Sequence, residues 1–112
     1  MTAARQLSIE LVLDRLRNSR LPFKARLAAQ IYVLVRAFAD DYEGRSVPAS
    51  SVAALIDHLE TSPLPSYPDL TLTPSGDCYA EWQDPHRRKI SIEFCDTGGA
   101  RRWTGNFPAQ TN

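Results

Sequence analysis

The 112-residue sequence has two cysteines, one methionine, two histidines and five glycines. Each scarcity excludes something. Cys78 and Cys95 stand far apart, with no CxxC or mixed Cys/His cluster, so a zinc ribbon and a thioredoxin-type motif are excluded. Two scattered histidines without HxxxH or HExxH spacing supply no recognisable metal centre. The glycines form neither a phosphate-cradling loop nor a dinucleotide fingerprint, and no G-x-S-x-G elbow occurs. No catalytic residue, cofactor or metal is therefore expected. Charge of one sign is lacking too: 13 basic and 13 acidic side chains give a formal net charge of zero. That argues against a chain whose main task is gripping a phosphate backbone. No apolar run approaches the ~20 residues of a membrane span. Met1–Glu10 lacks the pattern of a secretory leader, so a cytoplasmic protein with two free thiols is expected.

Proline, in contrast, is abundant where it matters. Thr61–Pro68 holds three prolines in eight residues, which predicts an extended connector. Before it the apolar spacing is helical; after it the spacing alternates. The expected organisation is one α+β domain over 1–104. It comprises a helical half (1–62), the connector (63–68) and a β-meander (69–104), followed by a mobile tail (105–112).

Three helices are predicted. Ile9, Val12, Leu13 and Leu16 form one stripe, predicting a helix over Leu7–Asn18. A second helix should run from Pro22, in its first turn, to Tyr42, burying Phe23, Leu27, Ile31, Leu34, Val35, Phe38 and Tyr42. Ala29, Val33 and Arg36 lie on its opposite side. Gly44 stops it. A third helix over Ser51–Glu60 should be capped by Ser50 or Ser51 and bury Val52, Leu55, Ile56 and Leu59. Its acidic Asp57 and Glu60, and the long preceding loop, argue against a DNA-reading helix-turn-helix.

Leu70 and Leu72 alternate with threonines, and Pro74-Ser75-Gly76 predicts a hairpin with positive φ at Gly76. The next strands are Cys78–Gln83 and Lys89–Cys95. Pairing Gln83 with Lys89 puts Cys78, Ala80, Trp82, Ile90, Ile92 and Phe94 on one apolar face. Trp82 should lie under the second helix. Cys95 points the other way, so no disulfide joins it to Cys78. A short fourth strand, Arg101–Thr104, follows a glycine turn. A two-residue loop there turns Trp103 inward, and a bulge turns it outward. The fold class is thus α+β, three helices on one face of a three- to four-stranded antiparallel meander.

The other face carries the candidate site. Tyr79, Glu81, Gln83, Ser91, Glu93 and, in the simplest register, Arg102 should share it, with Arg87, Arg88 and Lys89 at one end. Tyr79 is an aromatic of the hot-spot type, and the flanking cations could orient an acidic partner. Another protein is the expected partner, through Tyr79, Glu81, Glu93, Arg87, Arg88, Lys89 and Arg102. The alternative is a nucleic acid held by Arg87, Arg88, Lys89, Arg101 and Arg102 with an aromatic platform. Glu81 and Glu93 lie diagonally across the ladder, and His86 sits in a loop; both read as solvated surface. The sequence leaves the oligomeric state open.

The run Tyr67-Pro68-Asp69-Leu70-Thr71-Leu72-Thr73-Pro74-Ser75-Gly76, then Ala80-Glu81-Trp82 and Ile90-Ser91-Ile92-Glu93-Phe94, resembles small bacterial and mobile-element proteins. In these a helical half precedes a "Thr-Pro-x-Gly … Glu-Trp" meander. The resemblance covers the second half of the chain. It implies a cytoplasmic protein of the accessory genome: an antitoxin, an immunity protein or a phage-encoded inhibitor of host defence. With no catalytic constellation in the sequence, a non-enzymatic binding protein is the first expectation, a nucleic-acid binder the second and a small enzyme the third.

Overall fold

In the computed structural model, residues 8–43, 45–62, 65–83, 86, 88–97 and 99–105 are described. Three helices, α1 (Ile9–Arg17), α2 (Lys24–Asp41) and α3 (Ala49–Thr61), precede four strands, β1 (Asp69–Leu72), β2 (Cys78–Gln83), β3 (Lys89–Phe94) and β4 (Ala100–Gly105). The strands form one antiparallel sheet in the order β1-β2-β3-β4. This is the α+β meander expected from the change of apolar period. The mobile tail expected over 105–112 falls outside the described residues beyond Gly105, as do Gly44 and the Pro63-Leu64 part of the connector.

The apolar stripes explain the helices. α1 buries Val12, Leu13 and Leu16, and Ser8 caps it by accepting the Leu11 N–H at 3.1 Å. α2 buries Leu27, Ala28, Ile31 and Phe38, while Tyr42 at its end stays exposed instead of joining the stripe. Pro22 lies just before the helix rather than in its first turn: the Lys24 N–H closes on the Leu21 carbonyl at 3.2 Å, and the helix begins at Lys24. α3 buries Val52, Leu55, Ile56 and Leu59 as the spacing requires. Neither Ser50 nor Ser51 caps it, because the helix starts at Ala49 after Pro48. Ser51 instead lies within the first turn, fully buried. Its Oγ accepts the Cys78 N–H at 2.8 Å and donates to the Phe94 carbonyl. Helix and sheet are joined there by a side chain whose polar atoms have no water to turn to.

The β2–β3 register pairs Gln83 with Lys89 and Cys78 with Phe94, as the alternation predicts. Leu70, Cys78, Ala80, Ile92 and Phe94 are buried on the inner face. α3 packs against β2 and β3, and α2 against β1. This corrects the expected place of Trp82. It is half-buried, its ring centroid 5.5 Å from that of His58 on α3, and its Nε1 donates to the Ser66 carbonyl at 3.0 Å. The aromatic that meets α2 is Tyr67 of the connector. It stands edge-on to Phe23, under the Arg26 guanidinium, and donates to Gln30 Oε1. Gly76 has the positive φ its hairpin needs, at 92°, and a Cβ there would come within 3.1 Å of the Phe38 ring. Both cysteines are free. No helix among the described residues is long and apolar enough to cross a membrane.

Candidate functional site

Alternation along each strand assembles the outer face of the sheet. β2 contributes Tyr79, Glu81 and Gln83; β3 contributes Lys89, Ser91 and Glu93. The contribution of β4 depends on the turn before it. Residues 95–99 form that turn, closed by the Cys95 N–H on the Gly99 carbonyl at 2.8 Å, and Phe94 pairs with Ala100. With five residues rather than two, the parity of β4 reverses. Trp103 falls opposite Ser91 on the outer face and Arg101 opposite Glu93. Arg102 falls opposite Ile92 on the inner face, which corrects its expected place beside Tyr79. Its charge there, after burial, helps to lower the pKa of His58.

The middle of the face is aromatic. Tyr79 on β2 and Trp103 on β4 reach toward each other across β3, with ring centroids 6.2 Å apart. Trp103 remains 48% exposed. Ser91, between Glu81 and Trp103, is only 2% exposed, so the larger side chains close over it. At one end Glu81 meets Lys89 Nζ at 3.5 Å and accepts the Ser91 hydroxyl at 3.4 Å. Arg88 is exposed just before β3. Arg87 lies outside the described residues.

The opposite end holds a group that sequence reasoning did not assemble. The β2–β3 ladder, read one step past Cys78 and Phe94, sets Asp77 against Cys95, and both share the face of Glu93. One ligand atom from each of Asp77, Glu93 and Cys95 lies within 4.8 Å of the other two. Asp77 is 8% exposed. Its N–H donates to Thr73 Oγ1 at 3.1 Å, and its carboxyl is hydrogen-bonded with that of Glu93. Burial, then the charges of Asp96 and Glu93, push the Asp77 pKa up, and Arg101 pulls the other way. Cys78, facing the core, is a different thiol: burial pushes it up to about 12, and it behaves as a small apolar group.

The structure thus brings Tyr79, Glu81, Lys89 and Glu93 onto one face, leaves Arg88 at its rim, and separates Arg101 from Arg102. Sequence reasoning missed Asp77, although its parity with Tyr79 was the available signal. Compared with known protein families, curated proteins and solved structures, the chain matches none of them.

Proposed function

We propose that this is a small non-enzymatic protein that binds another protein through the outer face of its sheet, in the manner of an antitoxin, an immunity protein or an anti-defence inhibitor. The reading is carried by one observation, the Tyr79–Trp103 pair standing half-open across β3. Amphipathic aromatics of this kind concentrate binding energy at the centre of interfaces. Around the pair lie charges of both signs: Glu81 with Lys89, and Glu93 opposite Arg101. A mixed-sign rim suits a protein partner, whose surface also carries both signs.

A nucleic acid held by Arg87, Arg88, Lys89, Arg101 and Arg102 is supported less. Arg101 and Arg102 point to opposite faces, and acidic residues interrupt the path between the two basic ends. The free thiols fit a reducing, cytoplasmic setting.

The test is affinity capture from the native host, followed by quantitative binding of the partner found. Tyr79→Ala with Trp103→Ala should weaken binding by at least tenfold, about 1.4 kcal/mol, with the melting temperature unchanged. Binding that survives this pair but is lost with Val33→Glu and Arg36→Glu would place the surface on the back of α2. There Val33 is 63% exposed and Arg36 donates to the Tyr32 hydroxyl at 2.9 Å. Tight, steeply salt-dependent binding of labelled nucleic acid would favour the alternative.

A further inference from the structure

We infer that two copies of this chain pair through the exposed face of α2, antiparallel about a two-fold axis at Val33. Two observations carry this independently. The first is an apolar helix face left open. α2 buries Leu27, Ala28, Ile31 and Phe38. Its other side presents Ala29, Val33 and Ala37, all exposed, with Val33 at 63% and the neighbouring Tyr32 at 49%. The second observation is charge. A helix favours anions near its N-terminus and cations near its C-terminus. α2 has the reverse: Lys24 and Arg26 stand in its first turn, Asp40 and Asp41 in its last, with no acid at its start and no base at its end. No side chain caps its start. Among the described residues Arg26, Asp40 and Asp41 form no ion pair.

A second copy supplies what one copy lacks. Residues three and four apart share a helix face, so Arg26, Ala29, Val33, Ala37 and Asp40 lie along one line. The steps along that line are the same in both directions from Val33. A two-fold axis there sets Arg26 against Asp40 of the second copy at both ends, Ala29 against Ala37 of the second copy, and Val33 against itself. The alanines let the two axes approach to the near end of the ~8–10 Å packing range. Antiparallel pairing also sets the positive start of each helix beside the negative end of the other. A parallel pair would oppose like charges at both ends. Arg36 donates to the Tyr32 hydroxyl at 2.9 Å, and that pair borders the contact. α2 has 18 residues and is about 27 Å long, so one helix face buries less than the ~1,600 Å² of a standard interface. The dimer is therefore weak, with a Kd of roughly 10–100 μM. The contact lies on the side of α2 away from the sheet and leaves Tyr79 and Trp103 uncovered in both copies, so it does not rest on the proposed partner surface.

Sedimentation equilibrium of the purified chain, from roughly 10 μM to 1 mM, should fit a monomer–dimer equilibrium that weakens with added salt. Val33→Glu should weaken association by about tenfold or more, because it opposes two carboxylates at the axis. Ala37→Arg, at an exposed position of the same line, is the second variant and should do the same by keeping the helices apart. At low salt, Arg26→Glu and Asp40→Arg should each weaken association by about fivefold, since symmetry turns both end contacts repulsive at once. The two combined should restore it to within about twofold of the wild type. Circular dichroism checks that each variant is folded. A chain that stays monomeric to roughly 1 mM overturns the proposal. So does a dimer that persists in both Val33→Glu and Ala37→Arg, which would place the contact elsewhere, as at the open edge of β4. A combined variant no tighter than its two parents overturns the antiparallel register.

Discussion

Replacing Ser51 with alanine tests how the helical half is fastened to the sheet. Ser51 is 0% exposed, and its hydroxyl spans the Cys78 N–H and the Phe94 carbonyl, which belong to directly paired residues of β2 and β3. Alanine keeps the helix and most of the volume, so no sizeable cavity opens. What changes is hydrogen bonding: a buried donor and a buried acceptor lose their partner together. Each such loss costs ~1–3 kcal/mol, and the carbonyl, with a second lone pair, falls toward the low end. Alanine's better helix propensity returns about 0.5 kcal/mol. The net loss should be about 2–3 kcal/mol, a large fraction of the ~5–15 kcal/mol that holds a domain together. In urea, with a slope of ~1.5 kcal/mol/M, the midpoint should fall by about 1–2 M without a change of slope. Exchange of the Cys78 amide hydrogen should quicken. Ser50 is the internal control. Its Oγ donates to the Asp96 carbonyl at 2.5 Å in a solvent-accessible setting, so Ser50→Ala should cost under ~1 kcal/mol. Equal small losses for both serines would refute the reasoning, because Ser51 would then be no more than a surface hydroxyl.

The raised pKa of Asp77 makes stability pH-dependent with a definite sign: its contribution is complete below the ordinary aspartate value and is lost as pH rises through the folded one. Asp77→Asn should therefore raise the melting temperature at neutral pH and flatten the acid-side profile; a lower melting temperature would reverse the argument. His58 shifts the other way, by burial first and Arg102 second, so its contribution is present above the ordinary histidine value and lost as pH falls. In an NMR titration, Arg102→Gln should move the His58 midpoint upward, and an unmoved midpoint would show that Arg102 does not act on it. Trp82→Ala should cost about 2–3 kcal/mol, below the ~3–5 of a fully buried aromatic, because the ring is half-buried yet holds Ser66 and His58. A loss under ~1 kcal/mol in urea would mean that the ring leaves the core edge freely.

Much of the architecture was legible because two periodicities act on a chain with few exceptions to them. Val52, Leu55, Ile56 and Leu59 mark one side of a helix, and all four are buried. The strand register followed from a single condition, that Cys78, Ala80, Ile92 and Phe94 share a face. Periodicity does not say which helix meets which strand. Trp82 was rightly assigned to the inner face, but the helix above it is α3, which packs against β2 and β3 while α2 meets β1. Ser51 was read as a cap for a related reason. A serine near a helix start is most often a cap. Only the docking of α3 on the sheet reveals that its hydroxyl faces Cys78 and Phe94 rather than the first-turn amides of its own helix.

The outer face was legible to the point where a loop length entered. Tyr79, Glu81 and Glu93 follow from alternation alone. Arg102 and Trp103 follow only once the turn is known to take residues 95–99, since one residue more or less exchanges the two sides of β4. That exchange is what supplies the aromatic partner of Tyr79 and sends Arg102 toward His58. The cluster at the strand end was hidden by a different property of sequences: charge is counted along the chain but acts in space. A net charge of zero conceals a region where Asp96 and Glu93 act on Asp77 against the charge of Arg101. Burial sharpens the imbalance, because water screens a buried carboxylate far less than an exposed one. Parity could have placed Asp77 and Cys95 on the face of Glu93. It could not have told that Asp77 would be enclosed there beside Glu93, and that enclosure, with the charges of Asp96 and Glu93, is what raises its pKa above that of a solvated aspartate.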